Sequence, residues 1–200
     1  MKFASLGSGS KGNATLIQAG ETRVLLDCGF GPREAERRLN RLGTSAAELC
    51  AIVVTHEHSD HIGGVAALAR RHDLPVHLTF GTRKAAVGGR QRLEDLRWHE
   101  VRPERPFPVG ELELVPVPVP HDAREPCQYL FRAGERTLGV LTDLGMITPH
   151  VVEAFAECDA LVLECNHDTG LLAEGDYPPA LKRRVGGDHG HLNNAQAATL

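Results

Sequence analysis

A six-residue segment of this chain contains four side chains that can bind a metal ion. His56, His58, Asp60 and His61 directly follow a buried strand predicted over Ala51–Thr55. α/β folds place their ligands at the C-terminal ends of strands. Imidazole and carboxylate groups together suit zinc, manganese or iron, and the lack of nearby cysteine disfavours a closed structural zinc site. The segment therefore predicts an open metal site at a strand end.

The spacing within this segment excludes a familiar metalloprotease motif. That motif places its second histidine four residues after the first and uses the intervening glutamate as a general base. In this chain the residue four positions after His56 is Asp60. Glu57 is therefore not a base of that kind.

Short apolar runs alternate with helical patterns along the rest of the chain. The predicted strands are Phe3–Leu6, Ala14–Ala19, Arg23–Asp27, Ala51–Thr55, Leu74–Thr79, Glu111–Val119, Tyr129–Arg132, Thr137–Thr142 and Asp159–Glu164. Helices are predicted from Pro32, over Gly63–Arg71, from Pro149 behind an N-cap at Thr148, and over Pro179–Val185. Two sets of strands with helices on the outside predict an α/β, four-layer αβ/βα sandwich, which we expect to be one domain over residues 1–200.

Two segments are predicted to depart from regular structure. Pro116 and Pro118 predict that Glu111–Val119 is an edge strand or runs out into a loop. Gly81–Leu93 contains three glycines and no acidic residue, which predicts an exposed, mobile segment. Its basic residues are candidate contacts for a phosphate backbone: Arg83, Lys84, Arg90 and Arg92.

Composition limits the partners and the compartment. The net charge of −4 argues against nucleic-acid binding through bulk charge, so a phosphate partner would need a local basic patch. No apolar run approaches the roughly 18 residues that a membrane span requires. The N-terminus does not resemble a secretion signal, and five scattered cysteines are typical of reduced thiols in the cytoplasm. We expect a cytoplasmic protein with no membrane partner; the sequence leaves its oligomeric state open.

The metal-binding segment resembles the His-x-His-x-Asp-His signature of the metallo-β-lactamase superfamily. Three further positions match the other motifs of that family: Asp27, His121 and Asp143, each after a predicted strand. Four flanking segments resemble the YycJ/WalJ-like branch, which is regarded as nucleolytic and related to ribonuclease Z: residues 8–13, 121–123, 164–168 and 190–194. The resemblance covers almost the whole chain and implies a hydrolase.

The resemblance also implies a set of site residues. The family binds two divalent ions, zinc or alternatively manganese. One ion would be held by His56, His58 and His121. The second would be held by Asp60 and His61, and Asp143 would bridge both ions. Asp60 would also orient the attacking hydroxide. His191 would contact the scissile phosphate or protonate the leaving group, with His189 as the alternative, and Asp27 would support a ligand histidine.

A glycine-rich segment near the N-terminus imitates a dinucleotide-binding motif. Gly7–Gly12 has the Gly-x-Gly-x-x-Gly spacing, but the strand Ala14–Ala19 follows it where that motif requires a helix. The segment is therefore predicted to be a tight turn. As parts of a turn above the metal ions, Ser8, Ser10 and Asn13 are candidate substrate contacts.

The predicted activity is that of a metal-dependent phosphodiesterase or nuclease acting on nucleic acid or a small phosphodiester. A glyoxalase II-type thioester or lactone hydrolase is the first alternative, because the same metal chemistry attacks an acyl carbon. A non-catalytic metal-binding module is the second.

The last residues of the chain carry one further expectation. Asn193 and Gln196 predict a capped helix start, and the chain stops about two turns later. Relatives continue into a strand that ends in a last metal-binding histidine, and no histidine follows His191 here. We therefore expect the 200-residue chain to bind one metal ion firmly and a second ion poorly.

Overall fold

The structure is a computed structural model that describes residues 1–88, 93 and 95–200. Two of the predicted phosphate contacts, Arg90 and Arg92, lie outside the described residues. No helix in the described part of the chain is both long enough and apolar enough to span a bilayer.

The first half of the chain forms a sheet whose strands follow chain order. These strands are β1 (Lys2–Gly7), β2 (Ala14–Ala19), β3 (Thr22–Leu26), β4 (Ala51–Val53), β5 (Val76–Thr79) and β6 (Trp98–Val101). Strands β1 to β3 pair antiparallel, and β3 to β6 pair parallel. The carboxyl ends of the parallel strands therefore meet at one edge of the sheet.

The second half forms a second sheet. Its strands are β7 (Phe107–Val109), β8 (Leu112–Pro118), β9 (Cys127–Ala133), β10 (Arg136–Leu141) and β11 (Ala160–Leu163), and their spatial order also follows the chain. The pairs are antiparallel except for β10 and β11, which are parallel.

Helices lie between the strands and after the last of them. They are α1 (Pro32–Arg41), α2 (Ser59–Ile62), α3 (Val65–His72), α4 (Phe80–Gly88), α5 (Pro149–Phe155), α6 (Thr169–Glu174), α7 (Pro179–Val185) and α8 (Asn194–Ala197), with a 3₁₀ turn at Ala46–Glu48. Side chains of α1 and α3 share a core with the outer face of the first sheet, and those of α5 share a core with the second sheet. The predicted four-layer αβ/βα sandwich is confirmed.

Strand β3 shows how the sequence produces these layers. Val24 and Leu26 point into the core between the two sheets, while Leu25 points into the core beneath the helices. All three are at most 2% exposed. Because successive side chains of a strand face opposite sides, a strand covered on both faces is a continuous apolar run.

Several predicted elements require correction. The predicted helix over Gly63–Arg71 corresponds to α3, and the short helix α2 that precedes it was not predicted. Gly81–Leu93, predicted as a mobile segment, begins instead with helix α4, whose Gly81 is buried and donates its N–H to Glu125. Strands β6 and β7 were not predicted.

The predicted edge strand over Glu111–Val119 lies inside the second sheet as β8, between β7 and β9. However, β7 pairs with β8 only as far as Leu114. Pro116 and Pro118 lie beyond that point, where β8 pairs on one side with β9. Proline lacks a backbone N–H. It is tolerated there because no second neighbouring strand of the described chain requires that donor.

An aromatic stack joins the two sheets beside the end of β4, where His77 pairs with Val53. His77 of β5 lies opposite His99 of β6, with ring centroids 4.8 Å apart, and the Phe107 ring stacks on His77 at 5.1 Å. Burial and, to a smaller extent, the neighbouring His99 lower the pKa of His77 to about 4. The folded state therefore holds His77 neutral at pH values where the unfolded chain protonates it.

This difference predicts an acid-dependent loss of stability. Between about pH 6.5 and pH 4 the unfolded chain binds more protons at His77, so acidification favours unfolding. His77→Phe keeps a stacked ring but removes the titration. In urea unfolding of the metal-free protein, its free energy of unfolding relative to wild type should rise as the pH falls from 7.5 to 4.5. The exposed His150→Phe serves as control, and an equal offset for His77→Phe at both pH values would contradict the interpretation.

Candidate metal centre

Strand ends of both sheets supply the candidate metal ligands. His56 and His58 follow β4, and Asp60 and His61 lie on the short helix α2, whose N-cap is His58. The second sheet contributes two residues after its own strands: His121 after β8 and Asp143 after β10. Residues distant in the sequence therefore meet at one edge of the sandwich.

Three histidine nitrogens form the first donor set. His58 Nδ1 lies 3.0 Å from His56 Nε2 and 3.2 Å from His121 Nε2. The three side chains can contribute one ligand atom each to a single ion. Such a set of nitrogen donors matches the three protein ligands of many open zinc sites.

The protonation of His121 and His56 suits metal binding. His121 Nδ1 donates to the Gly190 carbonyl oxygen at 3.0 Å, and a carbonyl oxygen only accepts, so Nε2 keeps its lone pair in the neutral ring. Burial lowers the pKa of His121 to about 4 and holds the pKa of His56 well below its ordinary value. Both rings are therefore neutral at pH 7 and able to bind a cation.

The second donor set combines His61 and Asp143 with His56. His61 Nε2 lies 2.8 Å from Asp143 Oδ2. Burial disfavours protonation of His61, but Asp27 and Asp143 outweigh it and raise its pKa well above the ordinary value. Burial raises the pKa of Asp143, but hydrogen bonds with His191 and His61 outweigh burial and lower that pKa below its ordinary value. A cation at this position would replace the proton that His61 and Asp143 share, as metal ions commonly do.

Asp60 belongs to neither compact set. Its Oδ2 lies 3.6 Å from His61 Nε2, at the rim of the second set. The Asn13 side-chain amide donates to the same Asp60 oxygen at 3.1 Å and lies 3.0 Å from His61 Nε2. Asn13, predicted as a substrate contact, is therefore placed to position Asp60 and His61. A Cβ atom at Gly29 would lie 1.8 Å from the Asp60 carbonyl oxygen, so the close packing of this turn requires glycine there.

Asp27 supports the ligands from beneath. Its Oδ1 accepts the backbone N–H of Thr55 at 2.8 Å, and its Oδ2 accepts the Thr55 hydroxyl at 2.8 Å. The same Oδ2 lies 2.8 Å from His61 Nδ1. Asp27 therefore orients the ring of His61 so that Nε2 faces Asp143, which fits the expectation that Asp27 supports a ligand histidine.

A second carboxylate, Glu164, plays a comparable part for His191, and no role was predicted for it. Glu164 Oε2 lies 2.9 Å from His191 Nδ1, and its Oε1 accepts the backbone N–H groups of Leu144 and Leu192. Burial opposes protonation of His191, but hydrogen bonds to Asp143 and Glu164 raise its pKa to about 10. Burial raises the pKa of Glu164 itself. Glu164 ends the predicted strand Asp159–Glu164 and begins a segment that resembles the YycJ/WalJ-like branch, and these were the signals that could have indicated its role.

Comparison with known proteins places this geometry in a family. A sequence model described as "Beta-lactamase superfamily domain" matches residues 22–200. The chain belongs to this family. It is 34% identical to "Exodeoxyribonuclease YycJ" of Bacillus anthracis, over 99% of this chain and 75% of that protein. It is 30% identical to "Exodeoxyribonuclease WalJ" of Streptococcus pneumoniae, serotype 2, over 98% of this chain and 74% of that protein.

A solved structure supports the fold of this family member. Zn²⁺-bound PqqB from Methylobacterium extorquens superimposes with a TM-score of 0.76 at 16% identity, covering 96% of this chain and 80% of that one. The likeness concerns the fold alone. Together with the converging donor sets of the chain itself, membership of this family indicates a centre for divalent metal ions.

The centre opens into a cavity of about 800 Å³. Ser10, His58, Asp60, Asp143 and His191 are among its lining residues. Ser8 and His189 are exposed residues outside the described lining of this cavity. Ser10 is therefore better placed than Ser8 to touch a substrate, and His191 better placed than His189.

The two predicted basic contacts of the described chain lie on α4, outside the described lining of this cavity. The Arg83 guanidinium lies 3.8 Å from the centre of the Trp98 ring, a cation–π contact that joins α4 to β6. Lys84 is exposed. The structure does not bring Arg83 and Lys84 to the metal centre, and their contact with a phosphate backbone stays a prediction.

Removal of one ligand tests the first donor set. His58→Ala should lose most of the metal bound by the wild-type chain, because its Nδ1 lies between the other two nitrogen donors. Metal content is measured by mass spectrometry, and circular dichroism checks that the sheets remain folded. His150→Ala, an exposed histidine of α5, is the matched control. Unchanged metal content in His58→Ala would show that the ion is held elsewhere.

Proposed function

We propose that this chain is a metal-dependent phosphodiesterase that cleaves nucleic acid. The observation that carries the proposal is the position of His191, which lines the same cavity as His58 and Asp143, one member of each donor set. Phosphodiester hydrolysis requires both charge neutralisation at phosphorus and a proton for the leaving oxygen. DNA is the first substrate to test, because the two relatives described above are named exodeoxyribonucleases.

The proposed metal ligands follow from the two donor sets. His56, His58 and His121 would hold one ion, and His61 and Asp143 would hold the second at the rim where Asp60 lies. Zinc suits the nitrogen-rich first set, and manganese is the alternative where carboxylate oxygens contribute. When bound, such ions lower the pKa of water and neutralise charge on a phosphoryl group.

His191 is proposed as the general acid. A pKa of about 10 keeps its ring protonated at neutral pH, and its Nδ1 is occupied by Glu164 and Asp143. Nε2 is therefore the nitrogen available to protonate the departing oxygen. Asp143 would also be a metal ligand, so Glu164 is the partner that keeps the ring oriented when metal is present.

The proposal places the enzyme in the cytoplasm and makes nucleic acid its partner. All five cysteines are free, which suits a reducing compartment. The basic side chain of Arg184 stands at the cavity, where its guanidinium is paired with Asp122, and it offers a local positive group within an acidic chain.

The proposed function is tested by substrate class. The metal-loaded chain should hydrolyse single-stranded DNA, and it should leave a thioester and nitrocefin intact. Asp60→Asn should lower turnover on DNA by roughly a hundredfold or more, since correct placement of the reacting groups is worth several powers of ten. Hydrolysis of the thioester without cleavage of any phosphodiester would overturn the proposal in favour of acyl chemistry.

The role of His191 is tested with leaving groups of different basicity. His191→Ala should slow cleavage of DNA, which has a poor alkoxide leaving group, by about 10²- to 10⁴-fold. Cleavage of a nitrophenyl phosphodiester should fall much less, because nitrophenolate leaves without a proton. Glu164→Gln, which keeps the size of the side chain, should give the same pattern with a smaller loss. Equal losses on both substrates would contradict the acid role.

A further inference from the structure

We propose that helices α6 and α7 form a binding site for a nucleobase, next to the metal centre. The site is an apolar wall made of Leu171, Leu172, Tyr177, Leu181 and Val185, and it faces the same cavity as His58 and His191. The inference rests on the proposed function and specifies which part of the substrate the cavity recognises.

Part of the wall is left uncovered by the described chain, although Leu172, Leu181 and Val185 are half-buried. Neither α6 nor α7 buries a single residue. Leu171 is 73% exposed and Tyr177 is 57% exposed, although both are large apolar side chains. Exposed apolar surface that borders a polar site is typical of a ligand-binding surface.

The polarity of the cavity matches that of a nucleotide. Its lining includes histidine and carboxylate groups of the donor sets, which suit a phosphate through bound cations. The α6 and α7 side of the described lining supplies the apolar wall together with Asp168 and Asp176, and its one cation, Arg184, is paired with Asp122. Those carboxylates would repel a phosphate, whereas a neutral base can stack there. The volume of about 800 Å³ lies within the range of small-ligand sites.

Tyr177 is the side chain expected to contribute most. Every base has a flat π-face, so an aromatic ring binds bases with little regard to sequence. The leucines of the wall add apolar surface to the same cavity. An enzyme that holds one base beside the scissile phosphate would act on unpaired strands or strand ends, because a paired base is not accessible to the wall.

The test measures binding, so it does not depend on turnover. Thymidine 5′-monophosphate and deoxyribose 5-phosphate differ only by the base, and their dissociation constants are measured by calorimetry on the metal-loaded protein. Wild type should bind thymidine 5′-monophosphate more tightly by roughly 5- to 100-fold, the range expected for stacking of one base. Tyr177→Ala should lose most of this preference, and Tyr177→Phe should keep it.

Two further variants sharpen the result. Leu171→Asp places a charge on the wall at an exposed position, so it should abolish the preference without unfolding the chain. Val152→Ala removes an exposed apolar side chain of α5 and should leave the preference unchanged. Equal affinities of wild type for the two ligands would overturn the inference. The inference would also be overturned if Tyr177→Ala kept the base preference and sedimentation showed that it converts a wild-type dimer into a monomer. In that case a second copy of the chain, and not a base, would cover the wall.

The failure of this inference can be distinguished from failure of the proposed function. Cleavage of DNA without any base preference in binding would remove the nucleobase site alone. A base preference without phosphodiester cleavage would leave the nucleobase site standing and remove the proposed reaction.

Discussion

The buried carboxylate of Asp27 is the interaction on which the metal centre depends. Asp27 is 3% exposed, and a buried charge is stable only when hydrogen bonds satisfy it. Thr55 provides two of these bonds and His61 the third. Since Asp27 follows β3 and Thr55 follows β4, the carboxylate fixes the ends of two parallel strands against each other. The position of His61, and with it Asp143, follows from that arrangement.

The second half of the site must keep its position relative to the first, although it comes from the other sheet. Direct hydrogen bonds between the sheets provide this alignment. The Cys127 N–H donates to the Thr55 carbonyl oxygen at 3.1 Å, and the Tyr129 hydroxyl donates to the Val54 carbonyl oxygen at 3.2 Å. Both bonds are made just before His56, so strand β9 holds the loop that contains the first donors. The sandwich thereby brings together residues that are more than sixty positions apart in the chain, such as His58 and His121.

What the sequence could reveal depended on whether the relevant contacts are local. Four candidate ligands lie within six residues of the chain, so their spacing alone indicated a metal site: His56, His58, Asp60 and His61. His121 and Asp143 have no such neighbours, and only resemblance to a family suggested them. The role of Glu164 is defined by a contact with His191, which lies 27 residues away, so no local pattern indicated it. The turn that contains Asn13 was predicted, and Asn13 was therefore assigned to the substrate. The contact between this turn and Asp60 joins residues 47 positions apart, so no local pattern could predict it. The glycines around Gly81 suggested a loop, whereas the buried contact of Gly81 with Glu125 lies at the start of a helix.

The central claim is that metal ions bind where the strand ends of the two sheets converge. The most direct test is an anomalous difference map from crystals of the chain grown with Zn²⁺ or with Mn²⁺. The account predicts the strongest peak among His56 Nε2, His58 Nδ1 and His121 Nε2, and a weaker peak beside His61 Nε2 and Asp143 Oδ2. Peaks at surface carboxylates with none between these histidines would contradict it.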